Sequence, residues 1–194
     1  LSTDALTMHL YTEYVYLTMD QRKDWSSKAM VDVIEQHQTL EFDVTGDATT
    51  LNYSTDKKVS CEIDIASSMK EFYFFARNTT DETDGTAGEF AGTLNPITGL
   101  MEDPILRAEV LSGGKSTVLA DGLFYRLMQS YQYHTCYPRG FAYVFSADCL
   151  DPEALCYTGG INSGMLSKLV LNVWINGRSM LSTSNAMKVY IVVV

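Results

Sequence analysis

Alternation with a period of two residues runs through most of this sequence and restricts the chain to a β architecture. Val59, Cys61, Ile63 and Ile65 alternate with Lys58, Ser60, Glu62 and Asp64, as expected of a strand with one buried and one wet face. Leu40, Phe42 and Val44 repeat the pattern against Thr39, Glu41 and Asp43, and so do Leu106, Ala108 and Val110 against Arg107 and Glu109. Runs rich in aromatic and β-branched residues, His9 to Leu17, Met69 to Arg77, Phe141 to Ala147, Leu166 to Ile175 and Met187 to Val194, bring the expected strands to eight. Helical signals are short and lie between strands. Thr18 and Gln21 have the spacing of a capping box opening one or two turns through Trp25. Asp121 is placed to cap a second helix in which Phe124 and Met128 share a face. With no strand-helix-strand alternation, a parallel doubly wound sheet is excluded. The expected fold is all-β, an eight-stranded antiparallel jelly-roll sandwich with short helices in its loops.

Size and charge narrow the function. The 194 residues suit one domain, 1–194, and 46% apolar content with 20% charged is enough to fold. A net charge of -10 argues against a nucleic-acid or anionic-membrane surface, both of which need clustered Lys and Arg. The longest apolar run, Val189 to Val194, is far below the ~20 residues of a bilayer helix, so no membrane insertion is expected. Two long connections stand out: the acidic, Gly-rich Asn78 to Asp103 and the partly helical Ser112 to Arg139. Several strands are apolar on both faces. In the last, Met187, Val189, Ile191 and Val193 point one way while Tyr190, Val192 and Val194 point the other, and Glu71 to Phe75 is similar. Such strands read as covered on both sides, which implies a large interface with another domain or subunit. With Leu rather than Met as its first residue, the chain is expected to be either processed or an excerpt of something longer.

Apparent chemistry is weak. Gly113-Gly114-Lys115-Ser116-Thr117 resembles the end of a phosphate loop, but Glu109 stands where the loop needs its first Gly, and an ordinary strand-to-helix loop is expected. His9, His37 and His134 are far apart in sequence, and His134 with Cys136 reads as packed structural residues rather than a nucleophilic pair. Asp81, Glu82, Asp84 and Glu89 lack the spacing of a calcium loop and read as a solvated surface. Cys61, Cys136, Cys149 and Cys156 form no CxxC pair; four free thiols are expected, with a Cys149–Cys156 disulfide as the alternative. Asn52 and Asn78 begin glycosylation sequons. No enzyme activity, catalytic residue, cofactor or metal is expected.

Particular segments suggest a family. TEYVYLTMDQRKDW (Thr12 to Trp25) followed by VIEQHQ (Val33 to Gln38) resembles the start of the second jelly roll in the major capsid proteins of large eukaryotic DNA viruses. KEFYFFARN (Lys70 to Asn78), NPI (Asn95 to Ile97), FYRLMQSYQYHTCYPRGFAYVFSADCLDPEA (Phe124 to Ala154) and the closing LVLNVWI and VYIVVV continue the resemblance in the family's order. CYTGGINSGM (Cys156 to Met165) departs from the family's usual loop, and the short helix carries only Arg22 and Lys23 where more arginines are common, as in a distant branch.

The resemblance implies a structural virion protein, the second of two jelly rolls in a subunit of the major capsid protein. Such subunits form homotrimers of pseudo-hexagonal outline and tile an icosahedral shell beside neighbouring capsomers and minor capsid proteins, after assembly in the infected host cell. No direct nucleic-acid contact is implied. Tyr131, Tyr133, His134, Tyr137 and Arg139 are the candidate interface residues, because aromatic and Arg side chains dominate hot spots. The alternatives are a single-jelly-roll penton or minor capsid protein and a carbohydrate-binding jelly-roll module; a cupin-type enzyme is weaker, for want of clustered ligands.

Overall fold

The computed structural model describes residues 10–29, 34–44, 56–65, 67–78, 93–94, 98–138, 140–147, 151–152, 158–166, 168–177 and 187–194. It divides into two units, Leu1–Ile34 and Glu35–Val194. In the first, α1 (Met19–Ser27) is opened by the expected capping box: Gln21 N donates to Thr18 Oγ1 at 3.4 Å and Thr18 N donates to Gln21 Oε1 at 2.9 Å. None of its residues is buried.

The second unit is the sandwich. Its long strands are β1 (Gln38–Val44), β2 (Lys57–Ile63), β4 (Glu71–Asn78), β7 (Ile105–Ser112), β8 (Lys115–Asp121), β9 (Tyr143–Ser146), β11 (Leu169–Ile175) and β12 (Met187–Val193). Two-residue segments complete the set, with β3 (Ser68–Met69) pairing β10 (Ile161–Asn162) and β5 (Thr93–Leu94) pairing β6 (Met101–Glu102). The long strands form two four-stranded antiparallel sheets, ordered β1-β12-β4-β9 and β2-β11-β7-β8. The first long strand pairs with the last, the second with the seventh, the third with the sixth and the fourth with the fifth. That nesting is one antiparallel ribbon wrapped on itself, which defines a jelly roll.

The alternating residues fill the space between the sheets. Val59, Cys61 and Ile63 of β2 pair with Val173, Leu171 and Leu169 of β11, and all belong to one buried cluster with Val110, Phe72, Phe74, Tyr143, Phe145, Val189 and Ile191. The Phe74 ring stacks on Tyr143 at 5.4 Å and meets the edge of Tyr125 at 5.5 Å. Rings of this size, fully withdrawn from water, contribute on the order of 2 kcal/mol each.

Three expectations need correction. The chain forms more strands than eight, because two-residue segments pair in two small sheets of their own beside the eight long strands. His9 lies outside the described residues, and 10–17 carries no strand; a strand forms only where a neighbouring edge satisfies its backbone, and among the described residues no sheet includes this segment. The eighth long strand is instead β8, within the connection read as loop and helix. Its link to β7 is a two-residue hairpin, Gly113 (φ 57°) and Gly114 (φ 80°), with Ser112 opposite Lys115. Two successive positive φ values suit Gly-Gly and match the twist of the flanking strands. The apparent phosphate loop is this turn.

Candidate assembly surface

β8 and β9 are edge strands of different sheets, and the chain between them closes the side of the sandwich. It opens at Gly122, where a Cβ would sit 2.2 Å from the Ile105 carbonyl oxygen and 3.2 Å from the Tyr143 ring. The backbone approaches β7 that closely only because the residue is glycine. A π-helical turn (Phe124–Met128) follows and continues as α2 (Gln129–Tyr133). Gln129 N donates to the Phe124 carbonyl, five residues back. The wider turn breaks the i,i+4 register expected here: Phe124 is half-buried, while Met128 is 61% exposed. Asp121 ends β8 rather than capping the helix, whose first turn has no side-chain cap.

Polar contacts pin this connector from beneath. Tyr125, fully buried, donates its hydroxyl to the Ala108 carbonyl at 3.0 Å, and Gln129 Oε1 accepts from Ser146 N on β9 at 3.2 Å. Arg126 pairs with Asp103 at 3.2 Å and lies over the Phe141 ring, while Tyr143 donates to the same carboxylate at 2.9 Å. Burial pushes the phenols of Tyr125 and Tyr143 well above the usual tyrosine range, and the carboxylates of Glu109 and Asp103 respectively add to it. His134, just past α2, places Nε2 2.9 Å from Glu71 Oε2, and the other oxygen of that buried carboxylate accepts from Tyr73 Oη at 2.6 Å.

The candidate residues therefore separate. Tyr131 is 84% exposed and Tyr137 is also exposed. Tyr133 is half-buried beside Gln132, and His134 turns inward to Glu71, anchoring the connector. Arg139 lies outside the described residues, as do Asn52, His9, Asn95 to Ile97, Cys149, Cys156, Asp81, Glu82, Asp84 and Glu89. Asn78 is the last residue of β4, opposite Met187. Sequence reasoning missed the exposed Leu119 on β8 and the exposed Leu123 and Leu127 of the connector.

The two sheets differ on their outer faces. On the β2-β11-β7-β8 sheet, Trp174 lies between the cations of Lys58 and Arg107 at 4.9 and 4.4 Å, and Asn172 donates to Glu109 at 3.0 Å. That hydrogen bond, with a second from Ser116, holds the Glu109 carboxyl below its ordinary range. On the other sheet the two strands with apolar faces on both sides, β4 and β12, are neighbours. Phe75 stacks on Tyr190 at 5.3 Å, beside the paired Tyr73 and Val192. Among the described residues no group of three or more His, Cys, Asp or Glu is placed to hold a metal ion, and no helix is long and apolar enough to cross a membrane.

The fold is a jelly roll, and it superimposes on solved structures of viral capsid proteins. The PBCV-1 protein VP54, in a crystal structure fitted into a cryo-EM reconstruction of the virophage Sputnik, superimposes with a TM-score of 0.72 at 14% identity, over 92% of this chain and 51% of that one. A quasi-atomic model of the PBCV-1 virus capsid gives 0.69 at 15% identity, over 92% and 51%. The Faustovirus major capsid protein gives 0.57 at 10% identity, over 81% and 31%. The chain thus spans about half the length of the PBCV-1 chains. No protein-family model and no curated protein matches the sequence.

Proposed function

We propose that this chain is a structural virion protein, the second of two jelly rolls in a major capsid subunit that trimerises into pseudo-hexameric capsomers and tiles an icosahedral shell. The observation that carries this reading is the jelly-roll fold with its nested strand order, which superimposes on the PBCV-1 protein VP54 over 92% of this chain. The role is mechanical. Antiparallel ladders make a stiff wall, and the ring-filled core fixes the two sheets against each other.

Subunit contacts then fall first to the exposed Tyr131 and Tyr137 of the connector, with the half-buried Tyr73, Phe75 and Val192 face as a second surface. The acidic balance of -10 suits a wall whose genome contacts are made by other proteins. Expressed alone, the chain should form oligomers or aggregates in light scattering. A soluble, stable monomer at assembly concentrations would overturn the reading.

A further inference from the structure

Two surfaces of the sandwich are each incomplete, and each carries what the other lacks. On β4, Phe72, Phe74 and Ala76 enter the core, so Tyr73, Phe75 and Arg77 share the outer face. Phe75 stacks on Tyr190, and Arg77 follows on the same side. The Nε and Nη2 atoms of Arg77 are withdrawn from water and meet no hydrogen-bond acceptor among the described residues. A guanidinium in that state is costly until a carboxylate completes it. Its own sheet does not supply one. Glu41 and Asp43 lie two strands away on β1, and Glu41 accepts from Lys188, the residue opposite Arg77, at 3.1 Å.

The complementary surface lies where β8 meets the connector. Val118 and Ala120 pack on the core, so Leu119 and Asp121 share the outer side of this edge strand. Asp121 is exposed, and its carboxylate has no ion-pair or hydrogen-bond partner among the described residues. Leu119 is 57% exposed and Leu123, just beyond, 52%. A free carboxylate among exposed aliphatic side chains is the chemical complement of a guanidinium at the end of an aromatic row.

We infer that the two surfaces are halves of one contact between copies of this chain. The end of β8 in one copy seats against the outer face of β4 and β12 in the next, with Asp121 on Arg77 and the leucines against the Phe75 ring. Charge favours a second copy as the occupant: with 24 acidic residues to 14 Lys and Arg, the chain has carboxylates to spare and few cations to hold them. Because the paired surfaces differ, the contact is heterologous, and such contacts make a ring where the rotation closes. The inference rests on the capsid reading and deepens it, giving the subunit contact a direction and a charge pair.

Sedimentation velocity on the 194-residue chain across a concentration series tests this through a charge swap. Arg77→Glu alone and Asp121→Arg alone should each raise the concentration for half-association by about tenfold or more, and the two together should return it to near wild type. Single variants that associate like wild type, or a double variant no better than the worse single, overturn the contact. A wild-type chain that stays monomeric at every concentration overturns the capsid reading itself and the contact with it, so the two failures are distinct. Arg77→Met supplies a measurement independent of assembly. With no partner for the guanidinium in its own chain, this change should leave the urea midpoint of the dilute, dissociated chain unchanged or raise it, while still weakening association. A lowered midpoint shows an internal partner and overturns the inference.

Discussion

At the scale of single residues, two positions are fixed by what surrounds them. Gly122 meets the Ile105 carbonyl so closely that Gly122→Ala forces backbone apart, and we expect a loss of about 1–3 kcal/mol in urea unfolding. Gly114→Ala has open space but a φ of +80°, so strain alone should make it the milder change, about 1 kcal/mol. Cys61, at zero exposure, has its thiol pushed up to about 12 from 9.0 by burial. Because the folded value is the higher one, the stability from burying the neutral thiol is complete below pH 9 and fades as pH climbs toward 12. Unfolding midpoints should therefore fall from pH 9, by up to about 1.4 kcal/mol per pH unit, and more steeply above 10 as Tyr125 and Tyr143 join. Cys61→Ala should flatten the curve between pH 9 and 10; an unchanged slope would assign the effect elsewhere.

At the scale of elements, the β8-to-β9 connector combines two functions. Its underside holds Tyr125, Gln129 and His134 against the sheets, while its outer side presents Tyr131 and Leu123 to solvent. Changes on the two sides should separate. Tyr131→Asp with Tyr137→Asp should leave thermal stability within about 0.5 kcal/mol of wild type and prevent oligomer formation in sedimentation. Glu71→Ala should act the other way, costing about 3 kcal/mol because the partners His134 and Tyr73 are left buried without their carboxylate. Elements were legible where one face is wet. β1, β2 and β7 announced themselves by alternation, whereas β8, an edge strand with exposed Thr117 and Leu119, carries too little contrast between its faces. The π-turn had no sequence signal, since the register it breaks is set by how Gly122 seats against β7.

At the scale of the whole molecule, the sequence by itself determined the class: period-two patterning, short helices and an acidic surface admit an antiparallel sandwich and little else. It also marked β4 and β12 as strands covered on both sides. Only the tertiary structure decided that these two lie side by side, so that Phe75 and Tyr190 merge into one apolar surface rather than two scattered ones. It likewise decided that His134 is an anchor and Tyr131 a contact candidate, though both belong to one short aromatic stretch. The physical reason is that alternation reports the contrast between a residue's two faces, which is local. The neighbour each face receives depends on strand order, and strand order is fixed in part by pairings between residues far apart in the chain, such as Gln38 with Val193.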